Sequence, residues 1–385
     1  MDALVFAQML GDKSVTDLKK LKYKYPECFD EFIGTLKSAY FKKLPLKDFD
    51  GRNMVYLGTC ASVNLEAVKL LFSAQNESYG IGNLEDEILF TSRIENIDFS
   101  RDSVRGIVRG NAPKNDEEMR IYGLKKGFDF IADKSNKITE ENIYRLYMLT
   151  VGDFLEDGEK LPAGEFYRNA PVYVVGSIIE HTGLDCKKLP EYMKNLVLFA
   201  NESDGMNDLV KAAVIHFYTA YIHPYFDGNG RMARLLHLWY LIQQGYESAL
   251  FVPFSADIEK SRNRYYKAIK LVEENANLSG VTDVTPFIAY FNEYVYNKSD
   301  KKIKADVSEE YKNLLEKGEI TLKEADLWQF VLSAYRNNGF TTKQLEKDFS
   351  NAAYATIRAF VLKFTEFGLL STTQMKNKVV YRVKY

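Results

Sequence analysis

The sequence predicts a mainly α-helical protein of more than one domain, and three observations carry that expectation. The 385 residues hold only 9 prolines and 23 glycines, so few positions force a helix to break. From about Leu65 to about Val295 apolar residues recur mostly at helical spacing. In Asn207 to Ile222 they are Leu209, Ala212, Ala213, Ile215, His216, Tyr218 and Thr219. The length also exceeds what one core ordinarily serves, at roughly 100 to 200 residues per domain. Hydrophobic residues at 46% and aromatics at 14% supply apolar surface for several cores and argue against a disordered chain.

Taken in order, residues 1–61 look helical and carry no assignable motif. Residues 62–296 form the helical body. Within it AGEFYRNAPVYVVG (163–176) alternates and turns β-branched after its proline, which suggests a strand pair or hairpin. The charged stretch NKSDKKIKADVSEE (297–310) opens a linker over 297–320. Residues 321–385 read differently. Helix signals run over Leu322 to Asn337, Thr341 to Phe349 and Ser350 to Phe367, the last closed by Gly368, and LLSTTQMKNKVVYRV then alternates around the polar turn MKNK. Three helices and a hairpin are the plan of a winged helix. Its third helix would turn Ile357, Phe360, Val361 and Phe364 to a core and leave Asn351, Tyr354 and Arg358 for a DNA groove.

The charges nearly cancel over the whole chain, 51 Lys and Arg against 53 Asp and Glu, which gives no support to a whole-chain nucleic-acid binder. Residues 321–385 nevertheless carry 10 Lys and Arg against 5 Asp and Glu, a net of +5 that leaves −7 on the rest. A DNA duplex is one partner this module suggests; a protein contact or docking within the chain is the other. Cys28, Cys60 and Cys186 are an odd number with no CxxC pair, so a reducing, cytoplasmic setting is expected. The start, MDALVFAQMLGDK, has no basic region of the kind that opens a signal peptide. LLHLWYLI (235–242) is far shorter than the roughly 18 residues a membrane span requires, so no membrane role is expected. The sequence leaves self-association into a homo-oligomer open.

The chemistry concentrates in HPYFDGNGRMAR, His223 to Arg234. Gly228 and Gly230 flank Asn229, a spacing that lets the backbone turn through positive φ and expose successive N–H groups as an anion nest. A helix from about Gly230 to Gln244 points its positive end at the same place. Arg231 and Arg234, three apart, share a face of its first turn and are placed to reach phosphate oxygens. Asp227 stands before the nest, where a carboxylate can share Mg²⁺ with phosphates. His223 is the nearby group whose ordinary pKa suits general-base work. A lone DG or NG is ordinarily a turn, and a helical arginine ordinarily a solvated one; it is their coincidence within twelve residues that specifies phosphoryl or nucleotidyl transfer. His216 and His237 read as core or boundary histidines, since no third metal ligand accompanies them.

HPYFDGNGRMAR resembles the signature HPFxDGNGRxxR of the Fic family, with Tyr225 where Phe is usual. Weaker echoes extend the resemblance from about residue 62 to 295. They include Gly164, Arg168 and Val172 around the hairpin, SADIEKSRNRYYKAI (255–269) and TPFIAYF (285–291). Tyr147 in YRLYML departs from relatives that often carry a His. The resemblance implies an all-helical Fic fold with a β-hairpin flap at 163–176 that aligns an extended target segment by main-chain hydrogen bonds. It implies a protein adenylyltransferase with ATP as substrate and Mg²⁺ as cofactor. His223 would deprotonate a Ser, Thr or Tyr hydroxyl of a protein target, this chain included. Asp227 would hold the metal, Gly228, Asn229 and Gly230 would line the nest, and Arg231 and Arg234 would bind the β- and γ-phosphates.

Upstream, TSRIEN places Thr91, Glu95 and Asn96 in the pattern [S/T]xxxE[G/N], which resembles the family's inhibitory motif in the subgroup that carries it N-terminal to the catalytic core. The resemblance implies that Glu95 pairs with Arg234 in the place of the γ-phosphate, so the enzyme is autoinhibited. Three rivals share the site. One runs the reaction backwards as a de-AMPylase, with Glu95 activating water. A second transfers another phosphate-containing group, which the intact DGNGR disfavours. The last is a winged-helix DNA-binding regulator whose Fic-like domain senses nucleotide.

Overall fold

The computed structural model describes residues 2–61, 77–175, 179–246, 249–250, 252–296, 309–335, 339–349, 352–375 and 378–384. The chain opens with α1 (Ala3–Gly11), α2 (Leu18–Lys24) and α3 (Phe29–Thr35). Asp2 and Asp17 cap the first two, their carboxylates accepting N–H groups that have no partner within the helix. Met9, Leu18, Leu21, Phe29, Phe32 and Leu36 close a small core between them. Residues 1–61 are not all helix. β1 (Phe41–Lys47) pairs antiparallel with β2 (Asn53–Leu57), Phe41 opposite Leu57 and Lys43 opposite Val55. Pro45, which has no N–H to give a helix, lies at the register irregularity between Lys43 and Lys47. Gly51, at φ 79°, makes the turn. The segment is stitched to the body, Leu18 N donating to Asn275 Oδ1 (3.0 Å) and Val55 N to the Thr282 carbonyl (3.0 Å).

The body runs through α4 (Glu77–Ile94), α5 (Arg101–Val108), α6 (Asp116–Ala132) and α7 (Glu140–Thr150). Strands β3 (Tyr173–Val175) and β4 (Ile179–Thr182) follow as an antiparallel pair. The rest is α8 (Leu189–Asn201), α9 (Asp208–Ile222), α10 (Asn229–Gln243), α11 (Phe254–Lys260), α12 (Arg262–Ser279) and α13 (Thr285–Tyr290). Every residue of α9 from Leu209 to Thr219 is buried, and so is α10 from Met232 to Ile242. A helix without a polar face belongs at the centre, and these two pack on each other as the core of the body. The buried Lys211 is tolerated because its ammonium donates to the Glu202 carbonyl (2.6 Å) and to Asp204 (3.2 Å). Only the segment His223–Gly228 joins α9 to α10, so whatever that loop carries is held between the two most deeply buried elements.

At the C-terminal end come α14 (Glu309–Glu316), α15 (Leu322–Ala334), α16 (Thr342–Phe349), α17 (Tyr354–Glu366), β5 (Leu370–Met375) and β6 (Lys378–Val383). Thr321 and Glu324 form a reciprocal capping box that starts α15. Leu327, Trp328, Phe340, Ile357, Phe360, Val361 and Phe364 make a separate core. The expected order of three helices and a hairpin is present, β5 and β6 pairing Leu370 with Val383 and Met375 with Lys378. Ser350 and Asn351 lie outside the described residues. The module rests on the body through α15, which packs along α4, and through Asp348, which accepts from Arg109 Nη1 (3.3 Å) and Tyr335 Oη (2.8 Å). Among the described residues no helix is long and apolar enough to cross a membrane, and the three cysteines are free.

Candidate active site

The apolar run of α9 ends at Ile222, and His223 caps it in the left-handed region, φ 56° and ψ 65°. That conformation costs a non-glycine residue on the order of 1 kcal/mol, so its surroundings must hold it. Arg168 does so. Its guanidinium, in a residue only 2% exposed, donates to the carbonyls of His223 (2.7 Å), Ala170 (2.7 Å), Leu184 and Ile222. Asn229 closes the loop from the other end, accepting from Tyr225 N (2.9 Å) and donating to the Tyr225 carbonyl (2.8 Å). Gly228 is at φ 78°, and a Cβ there would lie 2.8 Å from Val151 Cγ2, so glycine is required twice over.

His223 Nδ1 stands 3.1 Å from the Ala220 carbonyl. A carbonyl only accepts, so Nδ1 carries the proton and Nε2 keeps a lone pair. Burial pushes the pKa of His223 down to about 4; the Ala220 carbonyl opposes the shift, and His181 and Arg168 add to it. The ring is therefore neutral at pH 7 and able to accept a proton.

Across the loop Asp227, half exposed, accepts from Arg231 Nη2 (2.8 Å). Arg234 turns the other way, to the C-terminal end of α4. Its Nε donates to Thr91 Oγ1 (2.6 Å) and its Nη2 to the Thr91 carbonyl (3.0 Å) and Glu95 Oε1 (2.7 Å). Glu95 Oε1 lies against Gly230, closer to the position of an added Cβ than any real side chain would permit. The carboxylate thus sits at the N-terminus of α10, in the anion nest itself. Two buried donors there, Arg234 Nη1 and Arg231 Nε, have no hydrogen-bond partner among the described residues. Asn96 leaves α4 at φ 60° and accepts from Arg262 Nη2 (2.8 Å).

The structure therefore brings together His223, Asp227, the 228–230 turn, Arg231, Arg234, Thr91 and Glu95. It relocates the hairpin. Strands occupy 173–175 and 179–182, not 163–176, because Pro171 cannot donate to a ladder and the β-branched return strand begins only at Ile179. Residues 176–178 lie outside the described residues. Gly164 makes a turn at φ 82° well before the strands, Arg168 lies beneath the loop, and Val172 only adjoins β3, its carbonyl accepting from Gly183 N (3.0 Å).

Three features went unread in the sequence. The rings of Tyr147 and Tyr225 stack at 3.7 Å and 6° between planes, so the two departures from the family pattern pack on each other. Glu87, fully buried, accepts from the Ser255 N–H (2.9 Å) and hydroxyl, and burial pushes its pKa up to about 7. The spacing Glu87, Thr91, Glu95 was the available signal, since steps of four align Glu87 and Thr91 on one face of α4 with Glu95 just past its end. The third is His181, whose ring centre lies 6.1 Å from that of His223. His216 and His237 are buried core residues, and His216 Nε2 is 2.9 Å from Tyr265 Oη.

Residues 137–241 match the family model described as the Fic/DOC family. Over these residues the chain is similar to Fic domains. Its curated relatives include the Protein adenylyltransferase Fic of Drosophila ananassae, 29% identical over 178 residues, which are 46% of this chain and 32% of that protein. The Drosophila yakuba protein of the same name is 30% identical over the same length. The chain spans about a third of the length of these relatives. Among solved structures, a Fic family protein from Desulfovibrio desulfuricans G20 superposes with a TM-score of 0.53 at 17% identity, over 83% of this chain and 94% of that one. The fold around the site is that of a Fic domain, with α9, the loop and α10 as its centre.

Proposed function

We propose that the chain is an autoinhibited protein adenylyltransferase that moves AMP from ATP to a protein hydroxyl. One observation carries the reading: Glu95 occupies the nest at Gly230 and pairs with Arg234, so a carboxylate fills a place built for an anion. His223 Nε2 takes the proton of a Ser, Thr or Tyr hydroxyl as that oxygen attacks the α-phosphorus. The bond from the α-phosphorus to the bridging oxygen breaks, and pyrophosphate leaves. The loop N–H groups and the two arginine donors without partners stabilise the phosphates by prior placement. Asp227 fits Mg²⁺, being one half-exposed carboxylate at the mouth of the nest, a donor set that such an ion completes with phosphate oxygens. The metal would neutralise charge on the α- and β-phosphates. A partial block by Glu95 is chemically sensible because carboxylate and phosphate compete for one guanidinium.

Incubation with ATP labelled at the α-phosphate tests the reading. Glu95→Gly should raise incorporation into this chain or a lysate protein at least tenfold over the parent. His223→Ala should remove roughly 10²–10⁴-fold of it in either background. Equal labelling of parent and Glu95→Gly refutes the brake. Release of AMP from a pre-modified protein by the parent, lost in Glu95→Gly, would establish the reverse reaction instead.

The C-terminal module is proposed as a winged helix that binds duplex DNA through exposed Tyr354 and Arg358 of α17. Its band shift should weaken steeply between 50 and 200 mM salt, a salt range typical for such tests. No shift at low salt assigns the module to docking alone.

A further inference from the structure

A histidine–glutamate pair stands beside the base and has no role in the mechanism above. His181, on β4, lies 6.1 Å from His223, ring centre to ring centre. Its Nε2 is 2.7 Å from the Tyr221 carbonyl, and its Nδ1 is 2.6 Å from Glu273 Oε1 on α12. A carbonyl only accepts, so Nε2 carries a proton. An ionised carboxylate also only accepts, so Nδ1 carries one too. The side chain is 13% exposed, with the rings of Phe49 and Tyr221 against it.

The Tyr221 carbonyl belongs to the last turn of α9, where carbonyls lack partners within the helix. Its neighbours, the Ile222 and His223 carbonyls, are held by Arg168. Two cationic side chains therefore grip the negative end of the helix that presents His223. One of them comes from the β3–β4 hairpin. A positive charge about 6 Å away also disfavours a second proton on His223. Among the described residues, Arg168 acts on His223 with the same effect and Glu95, just after α4, with the opposite effect. An incoming triphosphate brings more negative charge than Glu95 and would raise the proton affinity of His223. A fixed cation offsets that rise.

We propose that His181, held doubly protonated by Glu273, is a positioning residue that keeps His223 in its proton-accepting form and couples the hairpin to the catalytic loop. The inference rests on His223 as the base of AMP transfer. The full chain has four histidines, 181, 216, 223 and 237, so a histidine-labelled NMR titration resolves them. His181→Gln retains an N–H for the Tyr221 carbonyl but no charge, and Glu273→Gln removes the counter-charge from a partly exposed site. In both variants the titration midpoint of His223 should rise, by on the order of 0.5 to 1 pH unit. The acid limb of AMP transfer should rise with it, while the rate near pH 8 changes less than about threefold, a charge effect confined to the protonation step. A His223 midpoint unmoved in both variants overturns the proposal. A midpoint that rises while no form of the chain, parent or Glu95→Gly, transfers AMP supports the charge coupling and overturns the AMP-transfer reading.

Discussion

Single residues at this site are held by charge and burial more than by sequence-local preference. His223 keeps its left-handed backbone because Arg168 occupies the carbonyls around it, and it stays neutral because burial penalises the second proton. His237 is more deeply buried, and its pKa is pushed down to about 3. A histidine whose pKa is lowered by folding contributes stability that is present above about 6.5 and lost as pH falls toward the folded value. His237→Phe should therefore lose less unfolding free energy than the parent between pH 6.5 and 4.5. The difference is at most about 1.4 kcal/mol per pH unit, measured by urea unfolding. Taking the difference between parent and variant matters because Glu87 and Asp283, raised by burial to about 7 and about 6, act in the opposite sense. The same slope in both proteins would show that His237 protonates freely in the fold. The residues of the signature were legible because glycine, arginine and histidine each have few reasons to stand at that spacing. Glu87 and His181 were not, because their partners, Ser255 and Glu273, lie 168 and 92 residues away.

At the scale of elements, α9 and α10 were readable from their apolar density. The hairpin was misplaced because alternation marks one strand at a time, and pairing needs the partner. Its base is tied down by Arg168, which bridges the segment before β3, the end of α9 and the Leu184 carbonyl. Arg168→Ala leaves those buried carbonyls without donors and should cost about 2–4 kcal/mol, read as a lower urea midpoint. A loss under about 0.5 kcal/mol would mean that water replaces the guanidinium without penalty. β1–β2 falls within residues 1–61, which were expected to be helical throughout. Pro45 and the Asp48–Arg52 turn override that expectation, Asp48 accepting from the N–H groups of Asp50 and Arg52.

Over the whole molecule, the division of charge between body and C-terminal module was visible in the sequence, but where the module sits was not. It lies on α4, the helix whose end carries Glu95, and Asp348 receives Arg109 of the segment just after α5. Arg105 of α5 in turn reaches Glu85 of α4 (3.3 Å). Removing Asp348 should loosen this side of α4. Asp348→Ala is expected to speed hydrogen exchange of residues 84–94 several-fold without changing exchange in α9; unchanged exchange in both would show that the contact carries no load. Such a path from module to brake matters only if the site transfers AMP. The most direct test is the intact mass of the Glu95→Gly chain after incubation with ATP and Mg²⁺. Its mass should increase in steps of one AMP, and not at all when His223→Ala is combined with Glu95→Gly. An unchanged mass in Glu95→Gly, or the same additions without His223, would contradict AMP transfer through His223.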